Sequence, residues 1–182
     1  MYKIDLRNKL LKIIRENALT KGRFILSSGR ESDYYIDIKK VSLDGEFLDL
    51  LSDLTSHIVI ENFETKNVAG VELGGVPLAT ATMLKIKQKG FDSKAIVVRK
   101  KVKEHGTQKW IEGPQVDKVV LIEDVITTGG TTIWAIEKIK ENNINVEGVL
   151  CVVDRGGLKN IPDVKTLSLF NIEEILLSDH KN

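Results

Sequence analysis

Cysteine is nearly absent: the 182-residue chain has one, Cys151. An intrachain disulfide framework is therefore impossible, which suits a reducing compartment. Lying in an apolar run, Cys151 is expected to pack as a small hydrophobe. An excess of charge is absent too. The 27 Lys and Arg stand against 26 Asp and Glu, a net charge of +1. That balance leaves no global basic footprint for nucleic acid, and there is no acidic tail. No apolar stretch approaches the ~20 residues of a membrane span. Charges interrupt the apolar positions of the N-terminus, so a signal peptide is not indicated. Internal repeats, low-complexity segments and linkers are missing as well. A single soluble, cytoplasmic domain over residues 1–182 is expected.

What is present is an alternation of helical and strand patterns. Leu6, Leu10, Ile13, Ile14 and Ala18 share one face of a helix over residues 5–18, with Gly22 ending that unit. Residues 24–26 and 34–38 read as short strands about a polar turn. Phe47, Leu50, Leu51, Leu54 and Ile58 mark a helix over 45–61. A strand at 68–71 follows, then a loop over 72–76 and a helix opened by Pro77 and reaching about Lys89. A strand at 95–98, a long polar loop at 99–114, a strand at 119–122 and a helix at 131–142 come next. A strand at 146–153, a loop at 154–162, a strand at 167–170 and a short helix capped by Asn171 complete the chain. The pattern predicts an α/β fold with a mainly parallel, Rossmann-like sheet flanked by helices. Ligands in such sheets sit at the carboxyl ends of the strands.

The most informative stretch is Val119-Val120-Leu121-Ile122-Glu123-Asp124-Val125-Ile126-Thr127-Thr128-Gly129-Gly130-Thr131-Thr132. A buried strand delivers two acids and a Thr/Gly loop to the start of a helix capped by a Thr. Glycines let the loop backbone curl around an anion. A helix N-terminus adds free N–H donors and the positive end of a dipole, together favouring phosphate. Carboxylates repel phosphate, so Glu123 and Asp124 imply another ligand part: ribose hydroxyls, a metal or a developing positive charge. No Lys follows the glycines, which excludes a Walker loop. No Gly-x-Gly-x-x-Gly follows a strand, which excludes a dinucleotide fingerprint.

This run resembles the 5-phosphoribosyl-1-diphosphate (PRPP) motif of type I phosphoribosyltransferases. Other segments resemble, in order, the orotate phosphoribosyltransferase branch of that family. Arg99-Lys100-x-x-Lys103-x-His105-Gly106 is similar to its catalytic loop. Taken alone, this basic run would read as a solvated hairpin. Residues 24–37 are similar to its N-terminal hood signature, and residues 71–79 to its pyrophosphate loop. Asp154-Arg155-Gly156-Gly157 resembles the segment whose Arg contacts orotate in that branch. The resemblance implies a hood mainly within residues 1–40 and a core over about 45–170. It implies contacts to PRPP from Arg99, Lys100, Lys103, His105, Glu123, Asp124, Val125, Ile126, Thr127, Thr128, Gly129, Gly130 and Thr131. Thr127, Arg155 and the backbone groups of Tyr34 and Tyr35 would meet orotate.

In this reading Lys103, His105, Glu123 and Asp124 carry the catalysis. The acids accept from the ribose 2′- and 3′-hydroxyls, and the cations stabilise departing pyrophosphate. Mg²⁺ is the implied cofactor, bridging pyrophosphate and ribose oxygens with few protein ligands. A homodimer is implied, with the catalytic loop of one subunit closing over PRPP held by the other. Two departures stand out: Ser27 and Gly74 occupy positions where members can carry Lys, and Lys21, Arg23 or Arg30 could compensate for Ser27. A phosphoribosyltransferase for another base and a non-catalytic PRPP sensor are the alternatives. His57 and His180 receive no role.

Overall fold

Val119, Val120, Leu121 and Ile122 are fully buried. They lie in strand β6 (Lys118–Ile126), between two layers of helix. Val120 and Ile122 pack with apolar residues of α3 (Gly45–Asn62) and α4 (Gly75–Gln88). Val119 and Leu121 face Ala135, Ile136 and Ile139 of α5 (Gly130–Glu141). Cover on both faces is why this strand is a continuous apolar run and not an alternating one. Each such side chain contributes roughly 1.5–3 kcal/mol through burial.

The computed structural model describes residues 2–25, 29, 31–101 and 109–177. Its main sheet has the order β5-β4-β3-β6-β7-β8, formed by Ile111–Glu112, Ala95–Val98, Val68–Val71, Lys118–Ile126, Asn145–Asp154 and Lys165–Asn171. All neighbours are parallel except β4 and β5. The α/β fold with a mainly parallel sheet, expected from the alternation of patterns, is observed. No helix among the described residues is long and apolar enough to cross a membrane.

The N-terminal unit differs from expectation at its boundaries. Helix α1 (Tyr2–Ile13) passes through a wider turn at residues 14–18 into β1 (Leu19–Ile25). Gly22 therefore lies inside a strand and ends no helix. It sits where β1 slips register against β2 (Glu31–Ile36), between Lys21 and Phe24. This antiparallel pair is a separate two-stranded sheet. Ile14, Ala18, Ile36 and Ile38 nonetheless belong to one apolar cluster with Val120, Leu150 and Val152. The hairpin is thus seated on the main core.

A short helix α2 (Lys39–Ser42) leads to α3, whose first turn is capped by Asp44 accepting from the Phe47 N–H at 3.0 Å. Helix α4 begins at Gly75, so Pro77 is its third residue, not its first. The expected loop at 99–114 contains the two-residue β5, which pairs with Val97 and Val98. Helix α6 (Ile172–Leu176) carries the Asn171 cap as expected. Asn171 Oδ1 accepts from the Glu174 N–H at 2.8 Å, and Glu174 Oε2 accepts from the Asn171 N–H at 3.1 Å.

Candidate active site

The carboxyl ends of β6 and β7 carry two turns that lock together. After Ile126, residues 127–129 lead into α5. The helix is capped by Gly129 at φ 86° and ψ −13°, where a Thr cap was expected. That left-handed conformation costs a residue with a Cβ about 1–2 kcal/mol. A Cβ at Gly129 would also lie 2.9 Å from the Gly157 carbonyl. The second turn is wound by Asp154, whose Oδ1 accepts from the N–H groups of Gly156, Gly157 and Leu158 at 2.8, 2.9 and 3.2 Å. Asn160 Nδ2 donates to the Thr128 carbonyl at 3.0 Å, and the Arg155 N–H to the Ile126 carbonyl at 2.8 Å. Thr128, Gly130 and Thr131 stay exposed at the helix start. Gly130, Thr131, Trp134 and Lys100 line a cleft of about 420 Å³. Helix dipole, N–H groups and a cation thus meet one open space.

The two acids part company. Successive residues of a strand point to opposite faces. Glu123 faces α5 and is only 6% exposed, with Thr132 Oγ1 donating to its Oε1 at 3.4 Å. Burial, then the neighbouring Asp124 charge, push its carboxyl up to about 8; Lys100 and Thr132 act the other way. Its partner across the ladder on β7 is Cys151, whose thiol burial likewise pushes up. Cys151 is fully buried in the apolar cluster beneath α5, as expected of a small hydrophobe. Asp124 lies on the other face, against the turn before α4. A Cβ at Gly74 would overlap its carboxylate as placed, so the turn and the Asp124 side chain are in close contact. Lys39 is beside it: a hydrogen bond to Asp37 raises the Lys39 ammonium, with Asp124 adding to the effect. The two carboxylates therefore have different surroundings: Asp124 lies against the turn before α4 and Glu123 against α5.

At the other side of the phosphate turn, Arg155 reaches the hairpin. Its guanidinium lies 4.6 Å from the centre of the Tyr34 ring, and Nη2 donates to Ser32 Oγ at 3.3 Å. Its Nε is buried without a hydrogen-bond partner among the described residues. A cleft of about 620 Å³ is lined by Lys21, Ser32, Tyr34, Thr127 and Arg155, among others. Thr127 thus connects the phosphate turn to this second space. Tyr35 points to the opposite face of β2 and packs on Phe24, ring centres 5.6 Å apart. Of the two side chains, that of Tyr34 lines the cleft.

Residues 43–181 match the phosphoribosyl transferase domain family. The chain is 41% identical over 179 residues to the orotate phosphoribosyltransferase of Methanocaldococcus jannaschii, covering 94% of this chain and 98% of that one. With the enzyme of the same name from Methanosphaera stadtmanae the identity is 44% over 154 residues, 83% of each chain. The crystal structure of Mycobacterium tuberculosis orotate phosphoribosyltransferase with Fe(III) dicitrate superposes with a TM-score of 0.81 at 33% identity. That match covers 94% of this chain and 99% of the other. This chain belongs to the orotate phosphoribosyltransferase family.

In this family member the cations of the basic loop are anchored at the base. The Lys100 N–H donates to Glu72 Oε1 at 2.6 Å, and the Glu72 N–H to the Val98 carbonyl at 3.0 Å. The start of the basic loop is thereby tied to residues 72–75. The Arg99 N–H donates to the Trp110 carbonyl at 2.9 Å, and Arg99 Nη1 is 3.5 Å from Glu112 Oε1. Trp110 meets Trp134 of α5 edge to face at 5.6 Å, with Lys138 Nζ 5.4 Å from the Trp110 ring centre. Lys103 and His105, expected as catalytic, lie outside the described residues, as do Ser27 and Arg30.

Several residues escaped sequence reasoning. Thr132 was read only as part of a helix start; its spacing nine residues after Glu123 carries no local signal. Ser32 and Trp110 act across long chain separations. Val125 and Ile126 lie in the strand, half-buried and buried, leading into the loop. Among the described residues no group of three or more His, Cys, Asp or Glu could hold a metal.

Proposed function

We propose that this family member transfers the 5-phosphoribosyl group from PRPP to orotate, giving orotidine 5′-monophosphate and pyrophosphate in pyrimidine biosynthesis. The observation carrying this reading is the interlocked pair of turns. They set a helix start with free N–H groups directly beside an arginine whose buried Nε has no partner among the described residues. Thr127, Thr128, Gly129, Gly130 and Thr131 hold the 5′-phosphate. Asp124 accepts from the ribose hydroxyls and favours positive charge on the reacting carbon. Glu123 and Thr132 hold the helix start that meets the phosphate.

Arg155 presents a planar donor fork to the orotate carboxylate. Tyr34 and Ser32 fix the plane of that fork. Orotate is already anionic, so attack by its ring nitrogen needs no strong base. Arg99 and Lys100, with Lys103 and His105, match the growing charge of the leaving pyrophosphate. A cation in this role acts chiefly in the transition state. Among the described residues the carboxylates form no all-protein cage, which suits an ion that arrives on PRPP. Mg²⁺ arriving with PRPP would neutralise pyrophosphate charge. A homodimer in which Lys103 and His105 serve the neighbouring subunit completes the proposal.

Orotate-dependent release of pyrophosphate from PRPP tests the activity. Turnover of uracil or a purine without turnover of orotate would assign the chain another base. PRPP binding with no turnover of any base would make it a sensor.

A further inference from the structure

We propose that Lys21 is a specificity-determining cation of the base cleft, selecting an anionic base over a neutral one together with Arg155. The inference rests on the reading that this cleft receives orotate. It starts from the pleat of the hairpin. In β2, Ser32, Tyr34 and Ile36 are the half-buried or buried positions, while Glu31, Asp33 and Tyr35 are exposed. The first set therefore faces the core, and Arg155 meets both Ser32 and Tyr34 there. Lys21 of β1 stands directly opposite Tyr34 in the antiparallel register. Residues so paired project from the same face of a sheet, with Cβ atoms ~5 Å apart. The register slip follows immediately after Lys21, so it leaves this pairing intact.

Lys21 accordingly lines the same cleft as Arg155 and Thr127. Its four-carbon stem can carry the ammonium along the cleft wall. Glu31 and Asp33 also border the space, but from the outward positions of β2. Among the described residues no carboxylate pairs with Lys21. An ammonium held on the inner face beside an arginine, and not neutralised by a partner, is placed to bind a carboxylate or an anionic ring edge. The guanidinium of Arg155 is already oriented by Tyr34 and Ser32, so it sets geometry, and Lys21 adds charge. Lys21 also gives this chain a cation at the hairpin, where Ser27 supplies none.

Lys21→Met keeps the stem and removes the charge. Steady-state kinetics on the full-length protein should show KM for orotate rising about threefold to fivefold, the upper range for losing one exposed charged contact. KM for PRPP should stay within twofold and the thermal midpoint should not move, because Lys21 is exposed. Lys21→Arg should recover most of the orotate affinity, and the loss in Lys21→Met should shrink as salt is raised. An unchanged KM for orotate, or an equal rise for PRPP, overturns the proposal. If the unaltered protein releases pyrophosphate with orotate, that result removes Lys21 alone. If it does not, the reading beneath fails and Lys21 falls with it.

Discussion

Replacing Glu123 by Gln keeps the shape of the side chain and removes its proton equilibrium. The consequence for stability follows from its surroundings. The carboxyl is 6% exposed, and burial with Asp124 beside it raises its pKa from an ordinary 4.5 to about 8. Below pH 4.5 the group is protonated in both the folded and unfolded chain and makes no difference between them. Between pH 4.5 and about 8 the unfolded chain ionises while the folded chain holds its proton. The folded state therefore loses stability relative to the unfolded one throughout that window. Each pH unit is worth ~1.4 kcal/mol, so the full window is worth roughly 5 kcal/mol, and about 3 kcal/mol is already lost at pH 7. Gln does not titrate. Urea midpoints of the two proteins, measured in steps from pH 4.5 to 8.5 and compared at each pH, should diverge steadily in favour of Glu123→Gln. A difference that stays constant across the window would refute the buried, protonated Glu123. Turnover of the variant should stay within about threefold at pH 7, because an amide still accepts from Thr132 and the loss of a ribose contact is not expected.

Three further outcomes are expected. Arg155→Ala should raise KM for orotate about 30-fold or more, the ~2 kcal/mol or more of a charge-assisted pair, with KM for PRPP little changed; equal effects on both substrates would detach Arg155 from the base. Gly129→Ala should cost about 1–2 kcal/mol of stability from the left-handed backbone alone, and titration should show weaker binding of ribose 5-phosphate; unaltered binding would argue that the phosphate sits elsewhere. If loop cations serve the neighbouring subunit, mixing Lys103→Ala with Asp124→Asn chains should restore part of the activity that each lacks. Demonstrated heterodimers without recovery would make each site self-contained.

The parallel sheet and the strand-turn-helix unit around residues 127–130 were legible because their signals are local. A four-residue apolar run, a Thr/Gly loop and a helical repeat follow one another without interruption, and each has one favoured local structure. The Asn171 cap is equally local, since its partner Glu174 is three residues away. The misreadings occur where distant contacts decide. Residues 19–23, Leu-Thr-Lys-Gly-Arg, carry no strand signature; pairing with β2 makes them a strand and turns Gly22 from a stop into a bulge. Strand β5 is two residues long and exists only through Val97 and Val98. Gly130 opens α5 because Gly157 presses on Gly129 from the next turn, which leaves no place for a threonine cap. The two acids show a subtler limit. Their adjacency says nothing of their surroundings, yet the alternation of a strand already sends adjacent side chains to opposite faces.

The edge-to-face pair at the base of the basic loop has an optical consequence. The chain contains two tryptophans, and both are in that contact, one beside β5 and the other in the second turn of α5. Indole emission from this protein therefore reports a single junction, the one joining the Arg99 backbone to the helix that starts at Gly130. Movement of residues 109–112 against α5 changes the surroundings of both emitters at once and needs no label. Rearrangement of the hairpin that carries Lys21 and Tyr34 leaves their emission unchanged. Pyrophosphate and orotate, which meet opposite sides of the phosphate turn in the proposed reaction, can thus be told apart by light.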